Sequence, residues 1–333
     1  MNSYRSQKEK KLLESMEAKL TAEEESALFV PAEQDLQAAE KGGYSNYSYW
    51  QSTFRAFLKN RVAVFLLVVM AALLLFTVVQ PYLPGQRDPN EIYDSVETGL
   101  PLRNAAPNEE FWFGTNSIGQ DLWARIWSGT RTSLFIGFVV AGVEALAGIL
   151  AGMLWGYVRK LEFIFTELYN ILDNLPQTLV LVLFSLILTP SIQTMIMAMC
   201  MTGWIQMARF VRNQIVILRD RDYNLASRCL GTSTPRILFR NLLPYLVSVI
   251  MLRVALAIPT AIGNEVFITY IGLGLPLEIP SLGNLLNEGR LLMTAPPLRY
   301  QLIFPTVVLA VITISFYIIG NAFADAADPK NHV

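Results

Sequence analysis

Residues 212–244 read RNQIVILRDRDYNLASRCLGTSTPRILFRNLLP. This stretch is polar and basic, yet long apolar runs enclose it on both sides. Arginines at this density belong outside hydrocarbon, so the flanking runs enter and leave a membrane from one face. The punctuation inside the stretch is helical. Asp222 can cap a helix by accepting bonds from free N–H groups of the first turn. No breaker occurs over 223–230, and Gly231 follows where a helix stop favours left-handed backbone. Thr232, Ser233 and Thr234 make a polar turn. Thr234 before Pro235 reads as a second start, because proline suits the first helical position. Ala226 and Ser227 keep part of the first helix small, so a partner surface can approach. The expectation is helix, glycine turn, helix. A basic loop with incidental helix is the plainer alternative.

Composition agrees with a membrane setting. The chain has 333 residues, 53% hydrophobic and 16% charged, where a soluble chain carries about a quarter charged. A net charge of −1 gives no pull toward nucleic acid. Cys200 and Cys229 fall in an apolar run and in the basic stretch, with neither disulfide nor metal-ligand spacing. The single histidine is His332, which leaves no material for histidine triads or histidine metal centres. No lysine follows a glycine, so no G-x-x-x-x-G-K-[ST] loop for nucleotide phosphates exists.

Outward from the basic stretch, six apolar runs have spanning length. They cover about 62–82, 134–158, 163–188, 192–211, 242–271 and 301–323. The second is rich in Gly137, Gly142, Gly148, Gly152 and Gly156, small residues that let helices pack closely in lipid. Asp173, Asn174 and Pro176 interrupt the third, and Pro244 and Pro259 mark kinks in the fifth. The domain reading is a cytosolic tail 1–60, a first span 61–83 and an extracellular loop 84–131. A five-helix core 132–325 follows, carrying the cytosolic loop 212–244, and then a cytosolic tail 326–333. No apolar signal core stands near Met1. Arg55, Lys59, Arg61, Arg159, Lys160, Lys330 and seven arginines from Arg209 to Arg240 fall on one side. Arg87, Arg103, Arg125, Arg131, Arg290 and Arg299 fall on the other. That bias puts both termini in the cytosol.

Glu144, Glu167, Asp173, Arg253 and Glu265 are costly in lipid, so they face helices, water or each other. Asn170, Asp173 and Glu265 are the polar groups of interest, either on a translocation pathway or as structural bonds. A buried helix-to-helix bond is the structural reading for Glu265. An ion-coupled carrier would call for an internal repeat, and none is evident.

Several motifs, in order over about 55–330, resemble those of one known family. Residues 113–121, FGTNSIGQD, are similar to F-G-T-D-x-x-G-R-D, departing at Asn116 and Gln120. Leu225, Ala226, Ser227, Gly231 and Leu243-Pro244 stand at the E-A-A, glycine and L-P positions of the family's cytosolic loop. Leu225 replaces the glutamate, so docking there is expected to be apolar. Residues 265–274, EVFITYIGLG, resemble E-A-S-L-S-F-L-G-L-G. Pro280-Ser281-Leu282-Gly283 resembles P-S-W-G, and Asp325-Ala326-Ala327-Asp328-Pro329 resembles D-x-L-D-P. In their order and spacing these motifs resemble the second permease of the dipeptide/oligopeptide family of ATP-binding cassette importers.

The resemblance implies an all-α integral membrane protein with six transmembrane helices, the type I importer permease fold. It implies a second homologous permease, two cytosolic ATPases, an extracellular substrate-binding protein and a prokaryotic cytoplasmic membrane. ATP and magnesium would be held by the ATPases, leaving this chain without cofactor or catalysis. Tyr223, Leu225, Ala226, Ser227, Arg228, Gly231, Thr232 and Pro235 would form the ATPase-docking helix and its turn. The cargo would be short peptides. Relatives carrying nickel complexes, glutathione or other small solutes keep a second cargo class open.

Overall fold

A computed structural model of the chain describes residues 49–95 and 99–327. Most of the N-terminal tail and the 328–333 end, with the last two residues of the final motif, lie outside these residues. Among the described residues the chain is helical, with three isolated β-bridges, Ile92 to Gln120, Asp94 to Pro101 and Thr115 to Asp121.

Helix α1 (Tyr49–Lys59) meets α2 (Arg61–Val79) at Asn60. The Asn60 side chain accepts from Ala63 N–H at 3.1 Å and so starts α2. The window in α2 has a mean hydropathy of 3.1. Even so, Val62, Phe65, Val68, Leu75 and Val78 are exposed. A helix that apolar with bare apolar side chains faces lipid or another membrane helix. Helix α3 (Leu122–Tyr157) starts well inside the stretch read as loop, because the Asp121 side chain caps it through Ala124 N–H. Arg125, Arg131 and the hydroxyl residues of its first turns hide that start from a hydropathy reading.

Helices α4 (Arg159–Asp173) and α5 (Gln177–Ile187) are bent by 73°. The break falls at Pro176, which lacks an N–H and pushes the residue before it out of helical backbone. Next come α6 (Ile192–Arg219), α7 (Asp222–Cys229), a Thr234–Arg236 helical turn and a π-helical Ile237–Leu242. The chain closes with α8 (Leu243–Tyr270), α9 (Leu282–Leu291) and α10 (Tyr300–Ala327). Among the described residues four helices are long and apolar enough to cross a bilayer, and the bent α4/α5 pair makes a fifth if counted as one. Helix α6 is not among them, since Gln193, Thr194, Thr202, Gln206 and Arg209 dilute its apolar run.

Close packing of α3 on α6 sets the centre. Gly148, Gly152 and Gly156 recur every fourth residue, so they share one face. A Cβ at Gly148 would lie 2.5 Å from Met207 Cβ, and one at Gly156 would lie 2.7 Å from Ile215 Cβ. At Gly152 it would lie 2.5 Å from the Ala208 carbonyl oxygen. Backbone meets backbone there, which lipid-phase packing needs in place of a hydrophobic drive.

At the other end of α3 the quoted motifs meet one another. Ser133 Oγ donates to Glu265 Oε2 at 2.8 Å and accepts from Leu282 N–H at 3.1 Å. Thr269 Oγ1 donates to Glu265 Oε1 at 3.2 Å. Glu265 is fully buried, so it is the helix-to-helix bond the structural reading expected. Asn116 and Gln120 do not leave a hole where the family has charges. Gln120 Oε1 accepts from Arg125 at 2.5 Å and from Asn116 Nδ2 at 2.9 Å. Arg125 also reaches Glu288 at 3.1 Å. The amides thus carry a buried network that ties the α2–α3 loop to α9.

Gly152→Leu is expected to destabilise the detergent-solubilised protein by about 1–3 kcal/mol through overpacking, read as a lowered thermal midpoint. Gly142→Ala is the control, because a Cβ there meets nothing within 4 Å; equal midpoints for both variants would remove the glycine-contact account.

Candidate functional site

The basic stretch folds as two linked pieces. Arg221, not Asp222, is the N-cap of α7, since Arg221 is the residue in extended backbone (φ −70°, ψ 146°). Asp222 then occupies the first helical position, where its carboxylate meets the positive end of the helix dipole. The stop is the expected one. Gly231 has φ 77°, and Thr232 N–H donates back to the Ser227 carbonyl at 3.0 Å.

One face of α7 turns toward the membrane helices. Asn224 is fully buried, and its Nδ2 donates to the Leu218 carbonyl at the end of α6 at 2.8 Å. Asn241 Nδ2, from the π-helix, donates to Ser227 Oγ at 3.2 Å. Arg228 Nε donates to Tyr157 Oη at 3.1 Å, and its guanidinium sits over the Tyr157 ring. The opposite face is bare: Tyr223, Leu225, Ala226, Leu230, Gly231 and Pro235 are exposed, and Thr232 is half-buried. Of the eight docking candidates, Ser227 and Arg228 therefore point inward. Asn224 and Asn241 were not singled out from sequence; a buried asparagine in a polar helix gives no hydropathy signal.

Behind α7 the π-helix buries Ile237, Leu238 and Leu242 against Met153 of α3, Met207, Val211 and Ile215 of α6, and Leu246 and Ile250 of α8. π-Helical turns are rare and cluster at functional sites. The same cluster borders a cavity of about 260 Å³ between α3, α6 and α8. Glu144, Gln177, Gln206, Arg253, Thr260 and Asn264 supply its polar lining. The Glu144 carboxylate rests on Gly203, where no side chain could fit beneath it. The Arg253 guanidinium lies 4.8 Å from the Phe210 ring centroid.

None of Asn170, Asp173 and Glu265 lines this cavity. Asn170 is exposed, and Glu265 is buried among Ser133 and Thr269. Asp173 stands beside it at the α4/α5 break, accepting from Gln206 and pairing with Arg209 at 3.7 Å. The amide and hydroxyl lining was missed because single uncharged polar residues in an apolar run look like tolerated helix neighbours.

The model for the binding-protein-dependent transport system inner membrane component matches residues 146–333. That for the N-terminal TM domain of oligopeptide transport permease C matches residues 48–107. The oligopeptide transport system permease protein AmiD of Streptococcus pneumoniae is 34% identical over 312 residues, covering 94% of this chain and 99% of that protein. The oligopeptide transport system permease protein OppC of Bacillus subtilis is 33% identical, covering 91% of this chain and 97% of that protein. The dipeptide transport system permease protein DppC of the same organism is 32% identical, covering 91% and 92%. A permease of this kind is a membrane-spanning transport component that works with partner ATPase and substrate-binding components. The chain belongs to the family of binding-protein-dependent transport system inner membrane components, in the group that holds the oligopeptide and dipeptide permeases.

Proposed function

We propose that this chain is the second permease of a peptide importer, moving di- and oligopeptides inward across a prokaryotic cytoplasmic membrane. One observation carries the cargo: relatives at 32–34% identity over more than nine-tenths of the chain bear oligopeptide or dipeptide transport names. The chain itself hydrolyses nothing; ATP and magnesium belong to two partner ATPases. A homologous permease completes the pore, and an extracellular binding protein delivers the peptide. Six spans make the fold: α2, α3, the bent α4/α5 pair, α6, α8 and α10. Helix α6 qualifies because residues 192–208 are uncharged and cover about 26 Å at 1.5 Å per residue. Both termini and α7 lie in the cytosol.

The cavity suits a peptide's chemistry. Its amides and hydroxyl offer backbone-type hydrogen bonds, while Glu144 and Arg253 offer opposite charges for an ammonium and a carboxylate terminus. The outer face of α7 is the ATPase dock, apolar at Tyr223 and Leu225 and small at Ala226. Force enters there and reaches α8 through Asn224, Asn241 and the buried π-helix. Coupling requires that the ATPases contact α7 differently in their two states.

Peptide-stimulated ATP hydrolysis by the complete reconstituted transporter is the central test. Ala226→Trp blocks the dock and Gly231→Pro breaks the left-handed stop; each is expected to abolish stimulation with the permease still in the membrane. Wild-type stimulation in both would refute the dock. Glu144→Gln with Arg253→Gln is expected to lower peptide transport at least tenfold while nucleotide binding by the ATPases is unchanged. Unaltered uptake would take the cavity off the pathway. For topology, Cys229 is exposed. A membrane-impermeant maleimide is expected to label it in inverted vesicles and not in intact spheroplasts; the reverse pattern would invert the orientation.

A further inference from the structure

Where α3 ends, α4 begins and α6 ends, a second cavity of about 360 Å³ opens. Its lining is Tyr157, Arg159, Arg219, Arg228, Thr232 and Thr234. Three arginines thus line one space. Asp220 pairs with Arg219 at 3.3 Å, and among the described residues no carboxylate pairs with Arg159 or Arg228. Arg219 spends one N–H on the Gly156 carbonyl at 2.8 Å, and Arg228 spends Nε on Tyr157 Oη. The remaining N–H groups of Arg228 and all those of Arg159 have no acceptor among the described residues. Arg159 also stands at the first position of α4, where the helix dipole is already positive. Val158, the N-cap, offers no side chain to the free N–H groups there. An anion in this space would offset the repulsion among the three arginines.

We propose that this cavity binds a phosphate-bearing anion. The planar forks of Arg159 and Arg228 match phosphate oxygens in pairs, and the Thr232 and Thr234 hydroxyls can donate to the others. Basic pockets among helix ends on a cytosolic membrane face suit acidic lipid headgroups. The anion would bridge the docking helix, through Arg228 and the glycine turn, to the core, through Arg159 and Arg219. It would thereby fix the angle at which α7 meets an ATPase. The site is independent of the cargo.

The assembled transporter is purified and placed in nanodiscs of phosphatidylcholine alone or with phosphatidylglycerol, and retained lipid is read by native mass spectrometry. A second arm titrates inorganic phosphate onto the phosphatidylcholine form and measures its binding directly. Wild type is expected to retain phosphatidylglycerol. Arg159→Gln with Arg228→Gln is expected to weaken retention about thirtyfold, equivalent to about 2 kcal/mol, and Arg159→Lys with Arg228→Lys to restore part of it. Should the double variant fail to assemble with its ATPases, Arg159→Gln alone is expected to weaken retention about fivefold. Arginine-dependent retention of phosphatidylglycerol supports a lipid source, and arginine-dependent binding of inorganic phosphate supports a soluble one. If neither anion binds in a manner that depends on Arg159, or if phosphatidylcholine is retained equally well, the proposal is overturned.

Discussion

The contact between α3 and α6 is the constraint on which the remaining structure depends. Within a bilayer, apolar side chains gain nothing by leaving lipid for one another, so association must come from close approach. Gly148, Gly152 and Gly156 allow that approach by presenting bare backbone to Met207, Ala208, Val211 and Ile215. Gly203 repeats the device from the α6 side, making room for the Glu144 carboxylate. One helix pair therefore closes a dry seam toward one membrane face and holds open a polar cavity farther along.

That seam also reaches α7. Met207, Val211 and Ile215 pack on the π-helical Ile237, Leu238 and Leu242 as well as on α3. Asn224 and Asn241 add hydrogen bonds from α7 to both sides of the cluster. Packed side chains and satisfied polar groups thus run without a break from α7 to the α3–α6 seam. Arg253 follows Ile250 on the same helix, α8, so the cavity lies a single turn beyond the cluster.

The opposite end of the molecule adds polar burial to close glycine contacts, such as Gly129 on Ser281 and Gly283 on Thr269. Ser133, Glu265, Thr269 and Leu282 share one set of hydrogen bonds, and Arg125, Gln120, Asn116 and Glu288 share another. Removing one member would strand its partners in a medium that cannot solvate them.

Much of this was legible in the residues. The apolar runs, the Pro176 break, the glycine stripe and the Gly231 stop each act through local backbone or through transfer from water to lipid, so they show in one dimension. Tertiary contact alone decided the rest. The inward turn of Arg228, the burial of Asn224 and the amide lining of the cavity all depend on what a neighbouring helix presents. An asparagine, a glutamine or an arginine has the same hydropathy whether it faces water, a carbonyl or a cavity. Which of these it meets is fixed only when the helices pack.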